Sequence, residues 1–523
     1  MRIRRVLATG FAVVLSAACG TSTAVPPAPQ ISASSGPSEP PTPTLTPTPT
    51  PTAAPDPSTD PAYARFYDQK LDWTACAGGL QCAWVTVPRD WTNPGGATIA
   101  LAVNRKLAAD PGERLGSLFT NPGGPGGSGV EFVQLAWSKI PAAIRAHYDV
   151  VGFDPRGIGS SKPAIHCLTD SQLDTFLSTN PDPTTPSQIS EVQDEDQRFA
   201  DACTKDGPLL ANVGTPSVAR DLDVMRAAVG DSQLHYLGYS YGTYIGAVYA
   251  GLFPTHVGRM VLDGVIDPAL TTAQISLGQA QGFELAYSSF VKNCLSGSCP
   301  LGSSATAVTD RVAKLLAAVE QHPLPTGVPG RKLNVALATT AILAAMYSQK
   351  SWAGLRSAVA AAEVGDGSLL LQLADGYFER VKGHYLNNQN EAIYAVNCLD
   401  HPGADTVDEI KALLPQLTAA SPVFGPFIAW GNLPCNFWPV APTSQPGPIH
   451  APGTPPIVVI GTTRDPATPY QWAKNLADEL DSGVFLSHDG DGHTTFGDGN
   501  TCVDSAVDTY LLTGTPPAKG TMC

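Results

Sequence analysis

Apolar and polar residues alternate along this chain in two different rhythms. WVTVPRDW (84–91) and ATIALAVNRKLA (97–108) carry the period of two expected of half-buried strands. GSLFTN (116–121), YDVVGF (148–153), LHYLG (234–238) and RMVLDGV (259–265) are short, nearly unbroken apolar runs. TPSVARDLDVMRAAVG (215–230) instead sets Val218, Leu222, Met225 and Val229 at helical spacing. Thr215 can cap that helix, Pro216 suits its first turn and Gly230 can end it. TYIGAVYAGLFP predicts a further helix stopped at Pro254. Continuous apolar strands that alternate with helices predict a mainly parallel sheet covered by helices.

Residues 268–440 break this rhythm. They are rich in Ala and Leu with helical periodicity, as in VTDRVAKLLAAVEQ and LRSAVAAAEV, and predict an inserted helical cap. TPPIVVIG (454–461), WAKNLADEL, GVFLSH and CVDSAVDTYLL then resume the strand–helix pattern. The core is therefore split into 61–267 and 441–523. Residues 167–214, polar with two cysteines, form an excursion from its first part.

The N-terminal region is of another kind. Arg2, Arg4 and Arg5 precede an apolar run, Val6 to Ala18, too short to span a bilayer stably; residues 1–19 read as an export signal. LSAAC ends on Cys19 and resembles a bacterial lipoprotein signal, although Ser16 stands where Leu, Val or Ile is usual. Cleavage after Ala18 is the alternative. Residues 20–60, including PPTPTLTPTPTPT, lack large apolar side chains and predict an extended, proline-stiffened tether. Nothing later is long and apolar enough to cross a membrane, so the membrane is reached only through the N-terminal lipid.

Composition narrows the function classes. The chain has 523 residues, 43% of them hydrophobic, ample for a large core. A net charge of −15 argues against nucleic acid as a partner. Of eleven cysteines, ten remain when Cys19 is set aside, and an even number in an exported chain predicts disulfides. Near-neighbour pairing gives Cys76–Cys82, Cys167–Cys203, Cys294–Cys299, Cys398–Cys435 and Cys502–Cys523, one connectivity among many. No cysteine pair has the spacing of a zinc site and no histidine cluster accompanies one, so neither metal nor organic cofactor is expected.

The chemistry concentrates in GYSYGTYIGA (238–247). G-x-S-x-G between a strand and a helix is the pattern of a strained elbow that exposes a serine hydroxyl, here that of Ser240. A serine needs a base, and the base needs an orienting carboxylate, in the chain order Ser, acid, His. Asp465 lies just past the IVVIG strand and His493 just past VFLSH, where an open α/β sheet gathers its site. His488, His450 and His401 are rival bases, and Asp489, Asp491 and Asp498 rival acids. Those three acids lack the ligand spacing of a calcium loop. The oxyanion donors are expected to be the N–H of Tyr241, next after the nucleophile, and that of Gly124 in NPGGPGGSG. That loop lacks the Lys-Ser/Thr ending of a phosphate-binding loop, and its prolines disturb a dinucleotide fingerprint.

From about residue 70 to 523 the chain resembles the α/β-hydrolase tripeptidyl aminopeptidases of actinobacteria, related to proline iminopeptidases. NPGGPGGSG, GFDPRGIGSS, GYSYGT, CNFWP, TPPIVVIGTTRDPATP, GHTTF and the terminal Cys523 carry the likeness, which is weakest in the cap. The resemblance implies an exported serine peptidase acting on free N-termini, with Ser240, Asp465 and His493 as its triad and Thr468 supporting the acid loop. An aminopeptidase must hold a substrate ammonium, which a carboxylate does well. Glu284 in QGFELAY and Asp400 in NCLDH are the cap candidates. The same triad would serve an esterase or lipase, and a non-catalytic envelope binding protein is a third reading.

Overall fold

The computed structural model describes residues 56–403 and 406–523. The export segment, Cys19 and the tether up to residue 55 lie outside the described residues. Residues 56–60, counted above with the tether, are packed on the body. Asp56 caps the turn Pro57–Thr59 and pairs with His256 at 3.3 Å.

Among the described residues, nine strands form one sheet. They are β1 (Thr74–Cys76), β2 (Leu80–Pro88), β3 (Thr98–Lys106), β4 (Gly116–Asn121), β5 (Tyr148–Phe153), β6 (Leu234–Tyr239), β7 (Val257–Asp263), β8 (Ile457–Arg464) and β9 (Gly483–Asp491). Their spatial order is β1-β2-β3-β5-β4-β6-β7-β8-β9. The first three pair antiparallel, as do β3 and β5, and every neighbour from β5 onward is parallel. Every residue of β4 and β5 is buried, because helices cover both faces. That is why these strands read as apolar runs and not as alternation. The architecture is an α/β-hydrolase fold with a helical insertion between β7 and β8.

Two local expectations shift. The second strand ends at Pro88, and Trp91 turns inward to donate its Nε1–H to Asp221 Oδ1 at 3.1 Å. The helix Thr215–Ala228 is capped by Gly214, whose side-chain hydrogen cannot cap. The Thr215 hydroxyl goes instead to Asp400 Oδ2 at 2.5 Å.

Among the described residues, eight α-helices lie between β7 and β8, including Thr272–Leu295, Val335–Met346 and Gln389–Asp400. Phe283, Phe290, Leu337, Ile342, Trp352 and Phe424 form their shared core, which Ala467 of the body joins. The excursion contributes helices Asp170–Phe176 and Pro186–Cys203. Val192 of the latter packs with Ala280, Leu417 and Trp430, so this segment is layered onto the cap. The structure closes the near-neighbour disulfides Cys76–Cys82, Cys167–Cys203, Cys294–Cys299, Cys398–Cys435 and Cys502–Cys523.

The DPRG motif is structural. Asp154 accepts Ser128 Oγ at 2.6 Å and the N–H groups of Val130 and Ser160, fixing the glycine-rich loop to the end of β5. Arg156 is fully buried and gives two hydrogen bonds to Asp221, at 2.7 and 2.6 Å, and others to the carbonyls of Pro88, Arg89 and Asn212. Asp221→Ala would strand that buried cation. It is expected to cost about 3–5 kcal/mol, seen as a lower denaturant midpoint at unchanged slope.

Candidate active site

Ser240 joins β6 to the helix Tyr241–Leu252 at φ 53°, ψ −127°, a conformation disfavoured for any residue with a Cβ. The motif glycines are required by close approach. A Cβ on Gly238 would stand 2.5 Å from Gly242 O, and one on Gly242 would stand 2.7 Å from Asn121 O. The turn is pinned by the Ser240 N–H, which donates to Asp263 O at 2.9 Å.

Asp465 and His493 leave the ends of β8 and β9. Asp465 is buried; its Oδ1 accepts the N–H groups of Ala467 and Thr468, both at 2.9 Å, and its Oδ2 accepts the Thr468 hydroxyl at 2.8 Å. His493 Nδ1 lies 2.9 Å from Asp465 Oδ2 and 3.1 Å from Thr468 Oγ1. Its Nε2 is buried without a protein partner among the described residues, and the ring borders the same cavity as Ser240. Burial pushes the imidazole toward its neutral form. The charge and hydrogen bond of Asp465 and the charge of Asp263 oppose this, and the net effect raises its pKa above the ordinary 6.5.

The glycine-rich loop meets the elbow from β4. A Cβ on Gly123 would lie 2.8 Å from Ser240 Cβ and 2.9 Å from Tyr241 N. The Gly123 N–H is spent on Asn121 Oδ1 at 2.9 Å and that of Gly127 on Gly123 O at 3.0 Å. Gly124, which borders the cavity, makes no such amide bond among the described residues. The Tyr241 N–H opens its helix beside this turn.

His488 and the three rival acids are engaged elsewhere. His488 Nδ1 contacts Thr495 Oγ1 at 2.8 Å. Asp489 and Asp491 pair with Arg464 at 2.6 and 2.7 Å, and Asp498 pairs with Lys139 at 3.2 Å.

With this geometry in view, residues 421–523 match the family described as TAP-like protein. The chain is 37% identical to serine protease Hip1 of Mycobacterium tuberculosis, over 87% of this chain and 91% of the relative. The chain belongs to the TAP-like α/β-hydrolase family. It is 39% identical to carboxylesterase B of the same species, over 85% of this chain and 86% of that one. It is 35% identical to a tripeptidyl aminopeptidase of Streptomyces coelicolor, over 88% and 87%. This TAP-like chain is a serine hydrolase of the α/β-hydrolase fold.

Both cap acids expected to meet a substrate ammonium lie elsewhere. Helix Thr272–Leu295 turns Thr272, Ile275, Ser276, Gln279 and Phe283 toward the interior, and Glu284 falls one step beyond that stripe. It accepts the Ser421 hydroxyl at 2.7 Å and borders a groove on another face of the helix. Asp400 is buried behind the elbow. Its oxygens accept the Thr215 N–H at 2.9 Å and hydroxyl at 2.5 Å, and the Ser444 hydroxyl at 3.4 Å. Burial pushes its carboxyl up to about 6.

Two other acids border the Ser240 cavity, which has a volume of about 470 Å³. Asn387 Nδ2 donates to Glu131 Oε2 at 3.1 Å and also to Glu379 Oε2. Glu379 sits at φ 53°, an outlier for a non-glycine residue. Burial raises its carboxyl above the ordinary range; Asn387 opposes this and Glu131 adds to it. Among the described residues, no lysine or arginine borders the cavity. Sequence gave little sign of either acid: Glu131 stands three residues after Ser128 and reads as a capping residue, and nothing local marks Glu379. A second chamber of about 290 Å³, lined by Phe283, Leu343, Tyr394 and Trp472 among others, meets the cavity at Gly124, Tyr347 and Tyr377.

Proposed function

We propose that this serine hydrolase is an exported aminopeptidase that releases short peptides, of tripeptidyl type, from free N-termini. The observation that carries the reading is the convergence of Glu131 and Glu379 on Asn387 in the cavity of Ser240 and His493, with no lysine or arginine among the described lining residues. Two partly buried carboxylates around one amide leave negative charge that a substrate ammonium would neutralise. The tripeptidyl aminopeptidase relative supports the length of the released peptide.

In this reading His493 Nε2 takes the proton from Ser240 Oγ, and Ser240 attacks the scissile carbonyl. The amides of Tyr241 and Gly124 receive the oxyanion. His493 then protonates the leaving amine, and water releases the acyl group by the same route. Asp465 holds the Nδ1 proton, and Thr468 holds Asp465. Five disulfides accord with an oxidising, extracytoplasmic compartment. The proposed attachment is a lipid on Cys19.

The test compares tripeptide arylamides with free and acetylated N-termini. The free form is expected to be turned over and the acetylated form hardly at all. Glu131→Gln combined with Glu379→Gln should lower kcat/KM on the free form by about 10²-fold, an estimate from two lost charged hydrogen bonds, while sparing a simple ester. Equal loss on amide and ester would overturn the ammonium role. Ester turnover without amide turnover would favour a carboxylic ester hydrolase, the second reading, which the carboxylesterase B relative supports.

A further inference from the structure

Asp263, the last residue of β7, touches both halves of the catalytic arrangement without belonging to the triad. Its main-chain oxygen accepts the Ser240 N–H at 2.9 Å. Its Oδ2 accepts the N–H groups of Thr495 and Phe496, both at 2.8 Å. One fully buried residue thus ties the nucleophile's turn to the loop that carries His493.

That loop needs an external hold. Thr494, directly after His493, sits at φ 64°. A β-branched residue is a strong outlier there and persists only where its surroundings over-determine it. The two amides that Asp263 grips belong to the next two residues. From the other side, Tyr347 O of the cap accepts the His493 N–H at 3.0 Å, and a Cβ on Gly264 would come within 3.1 Å of His493 Cε1. The second oxygen of Asp263, Oδ1, is buried without a hydrogen bond among the described residues. Such an orphan calls for an explanation, and the imidazole nearby supplies one through its charge.

We propose that Asp263 is a positioning residue for the hydrolysis: it fixes the histidine loop against the nucleophile's turn and sets a second negative charge beside His493. The proposal rests on His493 being the base. The charged groups that act on His493 are Asp465 after β8, Asp263 at the end of β7, and Lys139, which itself pairs with Asp498. Those facing Asp263 are His493 and Asp465, with the Tyr239 phenol of β6 nearby. Burial raises the Asp263 carboxyl to about 6 against its two amide bonds, so above that pH it is an anion. Its charge then favours the imidazolium, and its removal should make His493 easier to deprotonate.

Three variants test this: Asp263→Asn, Asp263→Ala and, as a control, His493→Ala. Turnover is normalised to active sites counted with a serine-reactive fluorophosphonate. The amide of Asp263→Asn keeps an acceptor for Thr495 and Phe496 and removes the charge. The acidic limb of its kcat/KM profile should move down by roughly 0.5 pH unit or more, with KM little changed. Asp263→Ala also frees the loop, and its kcat should fall by about 10²-fold. A wild-type limb in Asp263→Asn, or a loss in either variant that vanishes on normalisation, would overturn the proposal. If Asp263→Ala does not fold, the pH profile of Asp263→Asn decides alone. Wild-type turnover by His493→Ala would instead remove the base assignment, a different failure from an unchanged Asp263→Asn beside an inactive His493→Ala.

Discussion

Ser240→Ala is expected to fold and to lose turnover by about 10⁴- to 10⁶-fold. The substitution keeps a Cβ, so the cost of the φ 53° turn is the same in both proteins. The main-chain bond from residue 240 to Asp263 O is also retained. Only the hydroxyl oxygen is lost. The measurement is kcat on a free tripeptide arylamide beside a thermal melt: an unchanged melting temperature with residual turnover near the uncatalysed rate is the expected pair. Wild-type turnover would remove Ser240 as the nucleophile, for peptide and ester substrates alike.

Asp465→Asn is expected to lower kcat by about 10⁴-fold while preserving the fold. Its retained oxygen can still accept the amides of Ala467 and Thr468. The new amide group then faces His493 Nδ1, where a proton must sit for Nε2 to act as the base. The imidazole is driven into the wrong tautomer. The pH dependence gives a second readout. In the wild type the imidazole pKa is raised, because the Asp465 charge and hydrogen bond outweigh burial. In the proposed mechanism neutral His493 is the active base, so kcat/KM should rise with pH and level off only above a value higher than 6.5. In Asp465→Asn the residual limb should move to lower pH. A drop in kcat with an unmoved limb would mean that Asp465 works by geometry alone.

The two cavity carboxylates and the two acids of the cap mark where sequence stops being informative. Ser240, Asp465 and His493 stand at the ends of apolar strands, and a parallel sheet carries all such ends to one edge. Asp263 obeys the same rule, closing the strand RMVLD as Asp465 follows IVVIGTTR, and that signal was available. Glu284 and Asp400 carry no comparable signal. One residue along a helix rotates a side chain by about a quarter turn, which separates Phe283 in the chamber from Glu284 on another face. Asp400 is consumed by Thr215, a partner 185 residues away.

The sequence by itself determined the alternating α/β core, its interruption by a helical cap, and the three loops that hold Ser240, Asp465 and His493. Those features follow from short-range periodicity and from turn chemistry, which neighbouring residues encode. Only the tertiary structure decided which acids face the cavity, that Asp154 and Arg156 serve as struts, and that Asp263 joins the elbow to the histidine loop. Each of these depends on groups far apart in the chain, whose meeting is set by helix phase, sheet order and the burial of charge, none of which a local pattern records.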